Sequence, residues 1–222
     1  MPRFLSTLLS PLSLFALIVL SACSQGQIKG ESVFVDAIDY AAIPSMENCQ
    51  EERVKEVRYY QCKSSKDIYL AGLKAAKAQN KPLMVTFGFN TCPYCKVLDA
   101  EIYDPKNPVT REAVQQYLSV NAAAKLEDFS LPQIRIHARS DHGLQLANDL
   151  GVTQMAQARG WHRVWSPFIV FVNPETGAMA SESQWEAKEI YCDWAANIAV
   201  SLEKNGYVTR GKPQTHRKRC PK

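Results

Sequence analysis

No second Cys-x-x-Cys accompanies Cys92-Pro93-Tyr94-Cys95, which removes the four-thiolate zinc ribbon. Lys96, not histidine, follows the motif, so covalent haem attachment lacks its signature. His137 and His142 have finger-like spacing but lie far from the cysteine pair, and no metal site is assigned to them. No segment repeats another, and low complexity is confined to the N-terminus. No apolar run combines the length and the flanks of a membrane-spanning helix. A chain-wide basic surface is also missing. The net charge is +4, but without Arg3 and the five Lys/Arg of residues 212–222, 20 basic residues face 22 acidic ones. No nucleic-acid partner is expected.

What is present begins with Met1-Pro2-Arg3 and the apolar stretch LSLFALIVL, the first two regions of a secretory signal. The stretch ends in Leu20-Ser21-Ala22-Cys23, which resembles the lipobox of bacterial lipoproteins. The resemblance implies cleavage after residue 22, a diacylglycerol on the Cys23 thiol and often an acylated amine, hence stable membrane anchoring. Ser24 rather than Asp follows, which by the same resemblance implies the periplasmic face of the outer membrane. The alternatives are an uncleaved anchor or a plain secretory signal. Cleavage leaves 200 residues, suited to one domain with extensions or two small ones.

Seven cysteines is an odd number. With Cys23 as anchor and Cys92 and Cys95 as motif, Cys49, Cys62, Cys192 and Cys220 remain, an even set where disulfides persist. Four cysteines allow three connectivities. Sequence proximity favours Cys49–Cys62 and Cys192–Cys220. The first pairing excludes one straight helix between its members, which would hold them about 20 Å apart.

Residues 23–65 read as a tether (to about residue 40) and an N-terminal extension. Ser64 or Ser65 caps a helix over residues 66–80, which stops before Lys81-Pro82. PLMVTFGF is a buried strand, followed at once by the cysteine turn and a helix, CKVLDAEIY. Asp104-Pro105 and Asn107-Pro108 break that helix. REAVQQYLSVNAAA reads as a helix running into a strand, and residues 126–145 carry no clear pattern. GLQLANDLGV is a short helix and TQMAQARGWHRVW an insertion. SPFIVFVNPETGAMASES is strand, turn, strand. Residues 184–206 form a final helix with Cys192 off its apolar stripe, and residues 207–222 a basic tail. The tail is either a solvated terminus held by Cys220 or a contact for lipid headgroups or an acidic partner.

At TFGFNTCPYCKVLDAEIYDP the chain resembles the thioredoxin superfamily. The likeness is nearest to lipid- or membrane-associated members, including the C-terminal domain of the transmembrane thiol:disulfide interchange protein. Cys-x-x-Cys-Lys and Glu101-Ile102-Tyr103-Asp104-Pro105 carry it, together with LANDLGV and SPFIVFVNPETG. It implies an α/β thioredoxin fold over residues 66–206, a central mixed sheet flanked by helices, with an insertion before the proline loop. It also implies exchange of electrons with protein thiols or disulfides, a membrane redox partner, and no cofactor beyond the Cys92–Cys95 pair.

A thiolate is the attacking species in such exchange, and a helix N-terminus lowers a thiol pKa. Cys92 is therefore the expected nucleophile, more exposed and of lower pKa, and Cys95 the resolving thiol. The competing reading is a structural disulfide. Pro93 suits a first helical turn, and Pro93-Tyr94 is also the glutaredoxin pair, which suggests a potential of about −200 to −230 mV. By resemblance Pro167 is cis, packs beside the cysteines and receives the substrate chain, and Ser166 tunes release. Two positions depart from the family: Thr86 replaces a buried aspartate, and Thr91 a tryptophan. Asp99 and Glu101 are the nearest helical carboxylates for proton transfer, though such groups are mostly solvated. Trp161, His162 and Trp165 line the groove or belong to the core. Electron flow leans towards reduction, against an oxidase or isomerase, or a non-catalytic adaptor on the same fold.

Overall fold

The computed structural model describes residues 34–101, 131–164, 166–180 and 204–205. The readings placed on Cys23, Cys192, Cys220, Trp165, residues 102–130, the final helix apart from residues 204–205, and the tail lie outside them, as do the side chains of Asp99 and Glu101.

The elements follow in the order β1 (Phe34–Asp36), α1 (Ser65–Ala78), β2 (Leu83–Gly88), α2 (Pro93–Glu101), β3 (Leu131–His137), α3 (Asp141–Asp149), α4 (Val152–Gln157), β4 (Phe168–Val172) and β5 (Met179–Ala180). They form one five-stranded sheet in the order β1-β3-β2-β4-β5. β3 runs parallel to β1 and β2; β4 is antiparallel to β2 and β5. This is the mixed α/β sheet of a thioredoxin fold. β2 is buried along its whole length, as a central strand must be. α1 starts at Ser64, whose hydroxyl accepts the Asp67 N–H, and presents Ile68, Tyr69, Gly72 and Ala76 to the core. The core joins these to Val85, Phe87, Ile134, Ile136, Phe168 and Val170.

Register explains why distant segments meet. Phe87 pairs with Phe168 and Gly88 with His137. The turn after β2, the residues preceding β4 and the end of β3 therefore share one end of the sheet. Cys92, Ser166-Pro167 and Arg139 lie on those three segments.

Three stretches differ from the sequence reading. β1 begins inside the stretch read as a tether; three residues are too few to show a period. The unpatterned stretch contains β3 and the start of α3, capped by Ser140. Pro132 argues against a central strand, yet it sits in β3 opposite Val35 of the short edge strand β1. The first residues of the supposed insertion form α4.

Cys49 and Cys62 are bonded, with Cα atoms 5.5 Å apart. The loop they close is braced by the Glu51 carboxylate, which accepts the N–H groups of Gln61 and Cys62, each at 3.0 Å. Closing a loop of this length is worth about 3 kcal/mol through the unfolded state. Replacing both cysteines by serine is expected to lower stability by about 2–4 kcal/mol. Urea denaturation of the oxidised protein and the variant measures this, and an unchanged midpoint contradicts it.

Candidate active site

Cys92 immediately precedes α2, and Cys95 lies in its first turn. Cys92 Sγ accepts the Cys95 N–H at 3.1 Å. The same sulfur is 3.4 Å from the Ser166 carbonyl oxygen, to which its thiol form donates. The Ser166–Pro167 peptide is cis, and Pro167 is buried. The fold thus gathers Cys92, Cys95, Ser166 and Pro167. Tyr94 remains outside, 50% exposed, and Pro93 is exposed.

Cys92 is not the more exposed thiol: both cysteines are in the thiol form and only 1% exposed. Tyr59 and Phe89 pack with them in one cluster, which explains the burial. Gly88 makes room for this arrangement, because a Cβ there would stand 2.5 Å from the Tyr59 ring. Asn90 fastens the stapled loop to the cysteine turn. Its side-chain oxygen accepts the N–H groups of Arg58 and Tyr59, each at 2.8 Å, and its amide donates to the Tyr59 carbonyl at 2.8 Å. Glu52 of the loop accepts the Asn90 N–H at 3.2 Å.

The Cys92 pKa is lowered from 9.0 to about 7. The side-chain hydrogen bond from Cys95 contributes most. Burial opposes it, while the backbone N–H groups of Cys95 and Tyr94 and the charge of Arg139 add to it. Arg139 is held over the Phe89 ring, its guanidinium carbon 3.4 Å from the centroid. At pH 7 about half of Cys92 is thiolate, against about 1% for an unshifted thiol. Alkylation of the reduced protein is expected to rise with pH and reach half its maximum near pH 7; a midpoint near 9 contradicts this. Because the folded pKa is depressed, the reduced protein also carries extra stability above about pH 9. That stability is lost as pH falls through about 7, and the oxidised protein has no such term.

Thr86 is fully buried in the strand leading to the motif. Its hydroxyl is not a base at neutral pH, so it cannot do the work of an aspartate. The two histidines do not join the cysteines. His137, 3% exposed, has Nε2 3.3 Å from Glu52. His142 shares hydrogen bonds with Ser65 and the Gln61 carbonyl. Among the described residues no group of three or more His, Cys, Asp or Glu could hold a metal ion. Trp161 is half-buried and packs against the core, edge-on to Phe168 at 5.9 Å. His162 is exposed.

Sequence reasoning missed Tyr59, Phe89, Asn90 and Arg139. The single available signal was the Cys49–Cys62 pairing, which implies a compact loop but not where it docks. Residues 66–174 match the family model described as thioredoxin-like. No curated protein matches the chain.

Proposed function

We propose that this thioredoxin-like chain is a lipid-anchored, periplasmic thiol–disulfide oxidoreductase acting on protein disulfides. Redox chemistry is the general activity of thioredoxin-like domains. The observation that carries the reading is Cys92: a thiol ahead of a helix, with its pKa near 7, beside Cys95 and the Ser166 carbonyl.

The Cys92 thiolate attacks one sulfur of a substrate disulfide, and the other substrate sulfur leaves as thiolate. Cys95 then gives its proton to a departing thiolate and attacks the Cys92 sulfur. The second substrate sulfur leaves, two electrons have passed to the substrate, and Cys92–Cys95 is a disulfide. A membrane redox partner returns it to the dithiol. In this reading the backbone at Ser166-Pro167 receives the substrate chain by strand addition. Catalytic turnover of insulin disulfides tests the activity. The in-cell state of the cysteines tests its direction: mostly reduced supports a reductase, mostly oxidised an oxidase.

The burial of both sulfurs favours a second reading, a thioredoxin-fold adaptor without turnover. Absence of insulin reduction together with stable partner binding supports it. For the anchor at Cys23, palmitate labelling of the wild type should vanish in Cys23→Ala; labelling that persists removes the lipoprotein assignment.

A further inference from the structure

The stapled loop does more than cover the cysteines. Between it and α2 lies a cavity of about 320 Å³, walled by Val54, Lys55, Glu56 and Arg58 on the loop and by Cys95 and Lys96 on the helix. Tyr59 and Phe89 also line it. Its volume is at the lower limit of small-molecule pockets, which suits one or two side chains of a larger substrate.

The charges are unequal. Lys55, Arg58 and Lys96 face a single carboxylate, Glu56. Arg58 Nη2 lies 3.0 Å from Glu56 Oε2, and this bond holds the Glu56 pKa below its ordinary value. Among the described residues neither Lys55 nor Lys96 forms an ion pair. Both are exposed and line the cavity. Two lysines therefore line a partly apolar hollow whose wall includes the Cys95 residue.

We propose that this cavity is a specificity subsite of the redox centre, receiving a carboxylate side chain close to the reacting cysteine of a substrate polypeptide. The proposal rests on the oxidoreductase reading and names its substrate class: disulfides in acidic sequence. A carboxylate in the cavity meets Lys55 and Lys96, while the aliphatic part of its side chain packs on Val54 and Tyr59. A lysine in the same place meets like charge from both. The exchange step is unchanged: Cys92 attacks, Cys95 resolves, and two electrons pass to the substrate.

The test is single turnover of protein reduced at Cys92 and Cys95 with the Cys49–Cys62 bond kept intact, which supplies its own electrons. Three probes are compared: one disulfide peptide flanked by glutamates, the same peptide flanked by lysines, and uncharged hydroxyethyl disulfide. The acidic peptide is expected to react about tenfold faster than the basic one at low salt, as two partly exposed ion pairs allow. Added salt should shrink that ratio. Lys55→Glu and Lys96→Glu should each cut it about threefold or more, and the double variant should abolish or reverse it. Lys74→Glu on α1 makes the same change in net charge away from the cavity and should leave the ratio as it is. Equal rates for the two peptides, or a ratio that Lys74→Glu alters as much as Lys55→Glu, overturn the subsite while leaving the oxidoreductase intact. Failure of the wild type to reduce any probe, hydroxyethyl disulfide included, removes the oxidoreductase reading and the subsite with it.

Discussion

Cys95→Ser is expected to trap substrates as mixed disulfides on Cys92, and Cys92→Ser to trap none and bring turnover down to background. The asymmetry follows from geometry. Cys92 precedes α2 and receives the hydrogen bonds that lower its pKa to about 7, so about half of it is ionised at neutral pH. Serine at position 92 has no comparable anion, and no first attack takes place. Serine at position 95 leaves the first attack intact but cannot displace the substrate. The two replacements of Cys95 also separate causes. A serine hydroxyl can still donate to the Cys92 sulfur, so the alkylation midpoint should stay close to 7. Alanine removes the side-chain hydrogen bond that contributes most to the shift, so the midpoint should climb towards 9.0 while the Cys95 N–H limits the rise. Non-reducing gels with thiol trapping read the first result, and iodoacetamide kinetics against pH the second. Trapping by Cys92→Ser alone, or equally by both variants, reverses the assignment of nucleophile and resolver.

Tyr59→Ala is expected to cost about 3–5 kcal/mol, the range for removing a buried aromatic side chain. Tyr59 is 1% exposed and packs against Phe89, Cys92 and Cys95. Its backbone is held by both polar atoms of the Asn90 side chain, so the loop cannot easily close over the space left behind. The cost should therefore fall in the upper part of that range. Because the ring helps bury the sulfurs, Cys95 should also become more open to alkylation. Gly88→Ala is the reciprocal change. It keeps the ring but forces it away from a new methyl group, at about 1–3 kcal/mol for overpacking. Chemical denaturation measures both costs. A Tyr59→Ala variant as stable as the wild type, with Cys95 no more reactive, would detach the extension from the redox site.

The readable parts of this protein are local. A mostly apolar run, a Cys-x-x-Cys turn and the start of a helix stand within about a dozen residues, so neighbours in sequence are neighbours in space. Ser64 as a helix cap and the Asn-Pro-Glu-Thr-Gly turn are legible for the same reason: the Asn173 side chain bonds to N–H groups two and three residues on. The Cys49–Cys62 partnership was favoured only by proximity among three connectivities, and the fold is what brings the two Cα atoms to 5.5 Å. Composition had no bearing on β1 and β3, because one is three residues long and the other carries a proline. The pairing of Asn90 with Tyr59, 31 residues away, depends on a loop being laid across the end of the sheet. Nothing in either segment specifies that contact. Hydrophobic pattern and turn chemistry act over a few residues and determined the motif and its flanking elements. Burial of the sulfurs, the cationic cavity beside Cys95 and the pKa of Cys92 come from side chains that only tertiary packing places within hydrogen-bonding or Coulombic reach.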